Sequence, residues 1–143
     1  MIAEGVWKEL LQVGIAYVLT GLIGWNRERE EGGTGIRTFP IVGMASCGYL
    51  LLLGPSPDVA AQSRLLQGLI TGIGFLGGGA ILKEGSTIKG AATAASVWNA
   101  AVIGASVALQ RYEVAVILCF LNLFALRILL PLKTWLDRKP GEQ

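Results

Sequence analysis

With 143 residues, 52% of them hydrophobic and only 15% charged, and a mean hydropathy of +0.57, the chain has too little polar surface for a soluble domain of its size. The formal charge of +2 is mild and spread along the chain, so no basic patch points to nucleic acid. There is no histidine, which excludes imidazole metal sites and histidine general-base catalysis.

The first apolar window, Trp7 to Trp25, is long enough to cross a hydrocarbon core as a helix. Glu4, Lys8 and Glu9 spoil a basic leader and no small-residue cleavage site precedes Arg27, so the segment is expected to be retained rather than cleaved. It runs into Asn26, Arg27, Glu28, Arg29, Glu30 and Glu31, then through a glycine-rich turn to Gly35, Ile36, Arg37 and Thr38. Alternating charges of this density are ordinarily a solvated interfacial loop whose arginines snorkel to headgroups. The sharper alternative brings Arg27 and Arg37 to the glycine-rich end of the third span, where with Glu28 they form a charged constriction or docking surface. Spacing alone does not separate the two.

The second window, Phe39 to Leu53, is among the shortest and carries Cys47 as a small hydrophobe. After a turn at Gly54 to Asp58 comes the third, Leu65 to Leu82, uncharged and crowded with glycine. Gly68 with Gly72 and Gly74 with Gly78 make two G-x-x-x-G spacings on different helix faces, which predict close contact with two neighbours. Gly72, Gly74 and Gly77 also match a dinucleotide fingerprint formally, but no strand precedes them and Val97 stands where the pattern needs an acid, so that reading is rejected. The alternative to packing is a broken-helix binding site of the transporter kind, easiest at Gly77, Gly78 and Gly79.

A turn at Lys83 to Thr87 leads to the fourth window, Ala91 to Leu109. Thr93, Ser96 and Asn99 recur at three-residue intervals as a drifting polar strip, expected to glue helices together rather than to line an ion path. Trp98 lies mid-span and is expected to pack against the bundle or a partner. The fifth window, Val114 to Leu130, carries Cys119 as a packed hydrophobe, Asn122 as a helix-to-helix bond and Arg127 as a snorkelling cation. Pro131 is expected to end that helix in a polar tail, residues 132–143.

The expected fold is an all-α integral membrane protein, a single domain over residues 1–131 built as a bundle of about five transmembrane helices with a glycine-rich third span. Eight basic residues, Arg27, Arg29, Arg37, Lys83, Lys89, Lys133, Arg138 and Lys139, fall on one side, and Lys8, Arg64 and Arg111 on the other. The charge rule then puts the C-terminus in the cytoplasm and the N-terminus outside. No acidic cluster suits a dedicated magnesium site, no P-loop supplies ATP-driven transport, and no paired acids or activated nucleophile suggest an enzyme, so neither cofactor nor metal is expected.

Four segments in order, Gly21 to Glu28, Gly35 to Thr38, Gly72 to Leu82 with Phe75 inside it, and Lys89 to Trp98, resemble the bacterial MgtC/SapB family, over about residues 10 to 130. The resemblance implies an inner-membrane protein of about five spans linked to growth under magnesium limitation and, in pathogens, to survival in phagocytes. It implies a regulator of other membrane machinery, notably F-type ATP synthase and phosphate uptake, more than a magnesium transporter. Some members continue into a cytoplasmic C-terminal domain; this chain reads as the short form. Asn26 stands where the family usually has an acid, Ala92 where it usually has Thr or Asn, and Asn99 where some virulence-associated members have cysteine. The expected partners are therefore the lipid bilayer, a membrane protein and, through exposed glycine faces, a second copy of the chain in a homodimer or higher oligomer. The competing class is a small homo-oligomeric channel or carrier lined by Asn26, Arg37 or Asn99.

Overall fold

The computed structural model describes residues 2–31, 35–54, 58–84 and 87–136. Five helices, α1 (Ile2–Glu31), α2 (Thr38–Leu51), α3 (Val59–Gly79), α4 (Ala91–Ala108) and α5 (Tyr112–Leu136), make up most of them. A two-stranded antiparallel hairpin, β1 (Leu82–Glu84) and β2 (Thr87–Lys89), joins α3 to α4 and pairs Lys83 with Ile88. The fold is the all-α membrane bundle expected from composition. Three stretches, Glu4–Arg29, Ala91–Ala108 and Tyr112–Leu129, are long and apolar enough to cross a membrane, and Thr38–Leu51 is apolar but shorter. In α1, Trp7 and Trp25 are both exposed and stand about 27 Å apart along the axis, close to the thickness of a hydrocarbon core. Exposed tryptophans at that spacing suit the two interfacial belts of a bilayer.

Contacts fix which ends meet. The end of α1 touches the start of α2 at Gly24 and Gly35, Arg27 of α1 bonds Thr93 at the start of α4, Asn26 bonds Arg127 near the end of α5, and Ala80 after α3 abuts Gly90 before α4. These five ends therefore share one end of the bundle. α4 is central, packed against α1, α2, α3 and α5, whereas α3 lies at the periphery, against α4 and to a small extent α2.

The tightest packing is where α1, α2 and α4 meet. A Cβ on Gly104 of α4 would collide with the carbonyl oxygen of Gly43 on α2, and one on Gly43 would collide with the Thr20 side chain of α1. Thr20 donates its hydroxyl back to the Ala16 carbonyl, 2.7 Å away, so its Oγ1 and methyl both lie against Gly43 without an orphaned polar group. Around this point Ala16, Ile23, Phe39, Cys47, Ile103 and Val107 are fully buried. In a bilayer, where lipid is as apolar as leucine, such backbone approach supplies much of the helix association.

The structure corrects several expectations. Within the bundle the α3 glycines form no packing seam: a Cβ added at Gly68, Gly72, Gly74, Gly78 or Gly79 would meet nothing within 4 Å, and only one at Gly77 would meet a neighbour, 3.4 Å from the Ala94 carbonyl oxygen. The G-x-x-x-G spacing permits close approach but does not attract it, and Gly43 and Gly104, in helices buried on more sides, take that role. Nor does α3 break at Gly77; it runs unbroken from Val59 to Gly79 and stops there. It begins six residues before the apolar window because the Asp58 carboxylate caps it, accepting from the amides of Ala60 and Ala61 at 2.9 and 3.1 Å. Likewise α5 does not end at Pro131 but continues to Leu136, since losing one backbone donor does not stop a helix already propagated through five turns. The remaining tail, residues 137–143, lies outside the described residues. The turn at Lys83 to Thr87 contributes strand residues on either side of positions 85–86, which are outside them too.

Candidate functional site

The end of the bundle where α1, α4 and α5 meet gathers several side-chain hydrogen bonds between helices. Three consecutive residues of α1 reach three different neighbours, because successive side chains on a helix diverge by about 100°. Asn26 accepts a hydrogen bond through Oδ1 from Arg127 Nε of α5 at 2.9 Å. Arg27, only 4% exposed, donates Nη2 to Thr93 Oγ1 of α4 at 2.6 Å. Glu28 accepts through Oε2 from the amide of Ile36, 3.3 Å away, in the turn before α2. One tripeptide thus ties α1 to α2, α4 and α5.

Deeper, the polar strip of α4 continues the pattern. Ser96 donates to Asn122 Oδ1 of α5 at 2.9 Å, and Asn99 donates Nδ2 to the Leu118 carbonyl of α5 at 3.2 Å. Thr93, Ser96 and Asn99 therefore act as the expected glue, one toward α1 and two toward α5. Asn122 makes the predicted helix-to-helix bond, while Arg127, exposed as a snorkelling cation would be, is anchored through its Nε.

Other predicted residues stand apart. Arg37 does not join Arg27 near α3; it is exposed at the N-cap position of α2, and Thr38 opens that helix half-buried. The constriction of Arg27, Arg37 and Glu28 is accordingly not formed: Arg27 turns inward to α4 and Arg37 outward. Trp98 does not pack into the bundle but is 44% exposed on the outer surface of α4, and Phe75 is 84% exposed on α3. A Cβ added at Gly72, Gly74, Gly78 or Gly79 would likewise meet nothing within 4 Å, and of the α3 glycines Gly77 alone approaches α4.

Gln12 was not singled out by its sequence context, yet it is one of the most buried polar residues. Its Nε2 donates to the carbonyls of Val107 and Ala108, at 3.0 and 3.1 Å. Those are end carbonyls of α4, which lack partners within the helix; the amide of Gln110, just past it, also reaches the Val107 carbonyl at 3.0 Å. Gln12 lies about 7.5 Å along α1 from Trp7, inside the apolar window, so a side-chain donor from α1 serves the end of α4. The available signal was a lone amide in an otherwise apolar run.

Cys47 and Cys119 are free and buried, and Cys119 Sγ donates to the Leu19 carbonyl at 3.3 Å, a further tie between α5 and α1. Among the described residues no group of three metal-ligating side chains converges. A surface cavity of about 510 Å³ lies along α1, lined by apolar residues including Trp7, Leu11 and Val18 on its lipid-facing stripe.

Comparison with known proteins places these features. Over 135 residues the chain is 33% identical to an uncharacterised protein, slr0014, of Synechocystis sp. (strain ATCC 27184 / PCC 6803 / Kazusa), covering 94% of this chain and 58% of that one. It is 33% identical over 103 residues to protein MgtC of Brucella abortus (strain 2308), covering 69% of this chain and 43% of that protein. A protein of Escherichia coli (strain K12) provisionally named a magnesium transporter, YhiD, is 29% identical over 127 residues, which are 83% of this chain and 59% of YhiD. The chain thus spans roughly half the length of these relatives. No solved structure matches it. The MgtC family model matches residues 13–135, a stretch that takes in the Asn26–Glu28 ties, the glycine-rich α3 and the polar strip of α4, and the chain belongs to the MgtC family.

Proposed function

We propose that this protein is a non-enzymatic regulator of other machinery in a bacterial inner membrane, acting during adaptation to magnesium limitation by helix-to-helix docking rather than by moving ions itself. ATP synthase and phosphate uptake are the partner systems that family resemblance suggests. One observation carries the reading: the polar strip of α4 is spent on ties within a single bundle, to Arg27, Asn122 and the Leu118 carbonyl, while a Cβ added at Gly68, Gly72, Gly74 or Gly78 of α3 would meet nothing within 4 Å, which leaves that helix open. An ion path would need such groups facing a passage, whereas a docking helix needs an open face. The eight-to-three division of basic residues supports an outside N-terminus and a cytoplasmic C-terminus.

A second reading, a homo-oligomeric channel or carrier, is favoured by the name of YhiD and by the same open face of α3, which would then line a passage between copies. Magnesium, proton and phosphate flux in sealed proteoliposomes separates the two, measured against empty vesicles and an inserted Gly74→Leu variant. The regulator predicts no flux above empty vesicles and loss of partner co-purification in Gly74→Leu. Flux that Gly74→Leu abolishes would establish the channel or carrier instead.

A further inference from the structure

The end of the bundle that gathers the α1, α3 and α5 C-termini repeats a two-residue pattern. Ile36–Arg37 precedes α2 and Ile88–Lys89 precedes α4, and all four side chains are exposed, Ile88 by 64%. Ile81 after α3 and Arg29 near the end of α1 are exposed at the same end. A helix N-terminus is positive, so placing Arg37 at the N-cap of α2, with no acid in the first turn, opposes that helix's own electrostatic preference. Arg29 and Arg37 form no salt bridge with the described carboxylates. At the opposite end, by contrast, Arg111 is neutralised by Glu113 at 2.6 Å. Isoleucines exposed beside exposed cations suit a boundary where acyl chain meets headgroup, the apolar branch entering the hydrocarbon and the cation reaching the phosphate.

We propose that this end of the bundle is a binding surface for anionic phospholipid, with Arg29 and Arg37 on the headgroup phosphate and Ile36, Ile81 and Ile88 in the upper acyl region. Charge complementarity selects the lipid class, and the isoleucines distinguish a lipid from free phosphate. Because it draws on surface residues rather than on a protein partner, the surface stands whichever way the flux measurement falls.

The test uses the purified full chain in neutral detergent and measures lipid binding by native mass spectrometry, with phosphatidylglycerol, phosphatidylcholine and inorganic phosphate as separate probes. Wild type should prefer phosphatidylglycerol over phosphatidylcholine. Each basic residue near an anionic surface contributes about fivefold in affinity, so Arg29→Gln with Arg37→Gln should weaken phosphatidylglycerol roughly 30-fold. Arg64→Gln with Lys8→Gln, at the opposite end, should leave the preference in place, and Ile88→Ser should weaken both lipids. An unchanged preference in the Arg29/Arg37 variant, an equal loss in the Arg64/Lys8 variant, or inorganic phosphate that competes as well as the lipid would each overturn the assignment. Circular dichroism of each variant confirms that it is folded before binding is read.

Discussion

Replacing Gly104 with alanine tests whether the crossing of α2 and α4 holds the bundle together. The added methyl would collide with the Gly43 carbonyl oxygen, stand 2.9 Å from the Gly43 carbonyl carbon and lie 3.1 Å from Ser46 Cβ. Carbon atoms rest at about 3.5–4.0 Å, so the helices must part by half an ångström or more, and the atoms in the way are largely backbone that cannot rotate aside. Overpacking of this kind costs about 1–3 kcal/mol. Gly72→Ala is the matched control, since nothing lies within 4 Å of its new methyl. Both glycines sit inside helices, and the gain of about 1 kcal/mol that alanine brings to a helix interior cancels in the comparison. Gly104→Ala should therefore be less stable than Gly72→Ala by about 1–3 kcal/mol, with Gly72→Ala at or above wild type. Equilibrium unfolding in mixed micelles, followed by far-ultraviolet circular dichroism as the denaturing detergent fraction rises, reads this difference. Equal stability of the two variants would refute the placement of the packing seam between α2 and α4 and return it to α3.

Gln12→Leu strips the side-chain donor from the Ala108 carbonyl and leaves the Val107 carbonyl only the Gln110 amide; it should cost about 1–3 kcal/mol, with faster amide exchange in the last turn of α4, and unchanged exchange there would contradict the capping role. Thr93→Val removes the acceptor beneath the buried Arg27 guanidinium and should cost about 1.5–3 kcal/mol in the same unfolding assay, whereas Thr93→Ser should restore most of it; equal losses would mean that shape and not the hydroxyl matters. A double-mutant cycle of Ser96→Ala and Asn122→Leu should give a coupling near 0.6 kcal/mol, the usual worth of a bond between membrane helices, and strict additivity would argue against the contact. Gly90→Ala should destabilise more than Gly72→Ala, because Gly90 has φ of 81° and its Cβ would strike the Ala80 carbonyl oxygen; parity would show that the α3–α4 junction yields.

The candidate site was partly legible before the structure. Thr93, Ser96 and Asn99 stood out because polar residues in an apolar span must find partners, and a three-residue interval puts them near one helix side. Their partners were not legible. That Ser96 meets Asn122 and Asn99 meets the Leu118 carbonyl depends on the register between α4 and α5, which no local pattern encodes. Arg27 illustrates the same limit: a charge cluster at a helix end reads as a solvated loop, and only the position of α4 turns its guanidinium inward while Arg37, ten residues on, stays outside.

Solvent preference follows from composition, and so a membrane bundle with five apolar segments and, through the motif set, its family could be read from the residues before any contact was known. Hydrophobic length is a local property summed along one helix, and it needs no knowledge of neighbours. Glycine does not declare its neighbours in that way. Gly74 and Gly78 have the spacing of a packing seam and meet nothing, while Gly43 and Gly104, less conspicuous in the sequence, bring two backbones together. Which small residue becomes a contact is decided by how many helices surround it, and α4 is surrounded where α3 is not. The tertiary arrangement alone settled that, because van der Waals packing between helices is a property of pairs of surfaces.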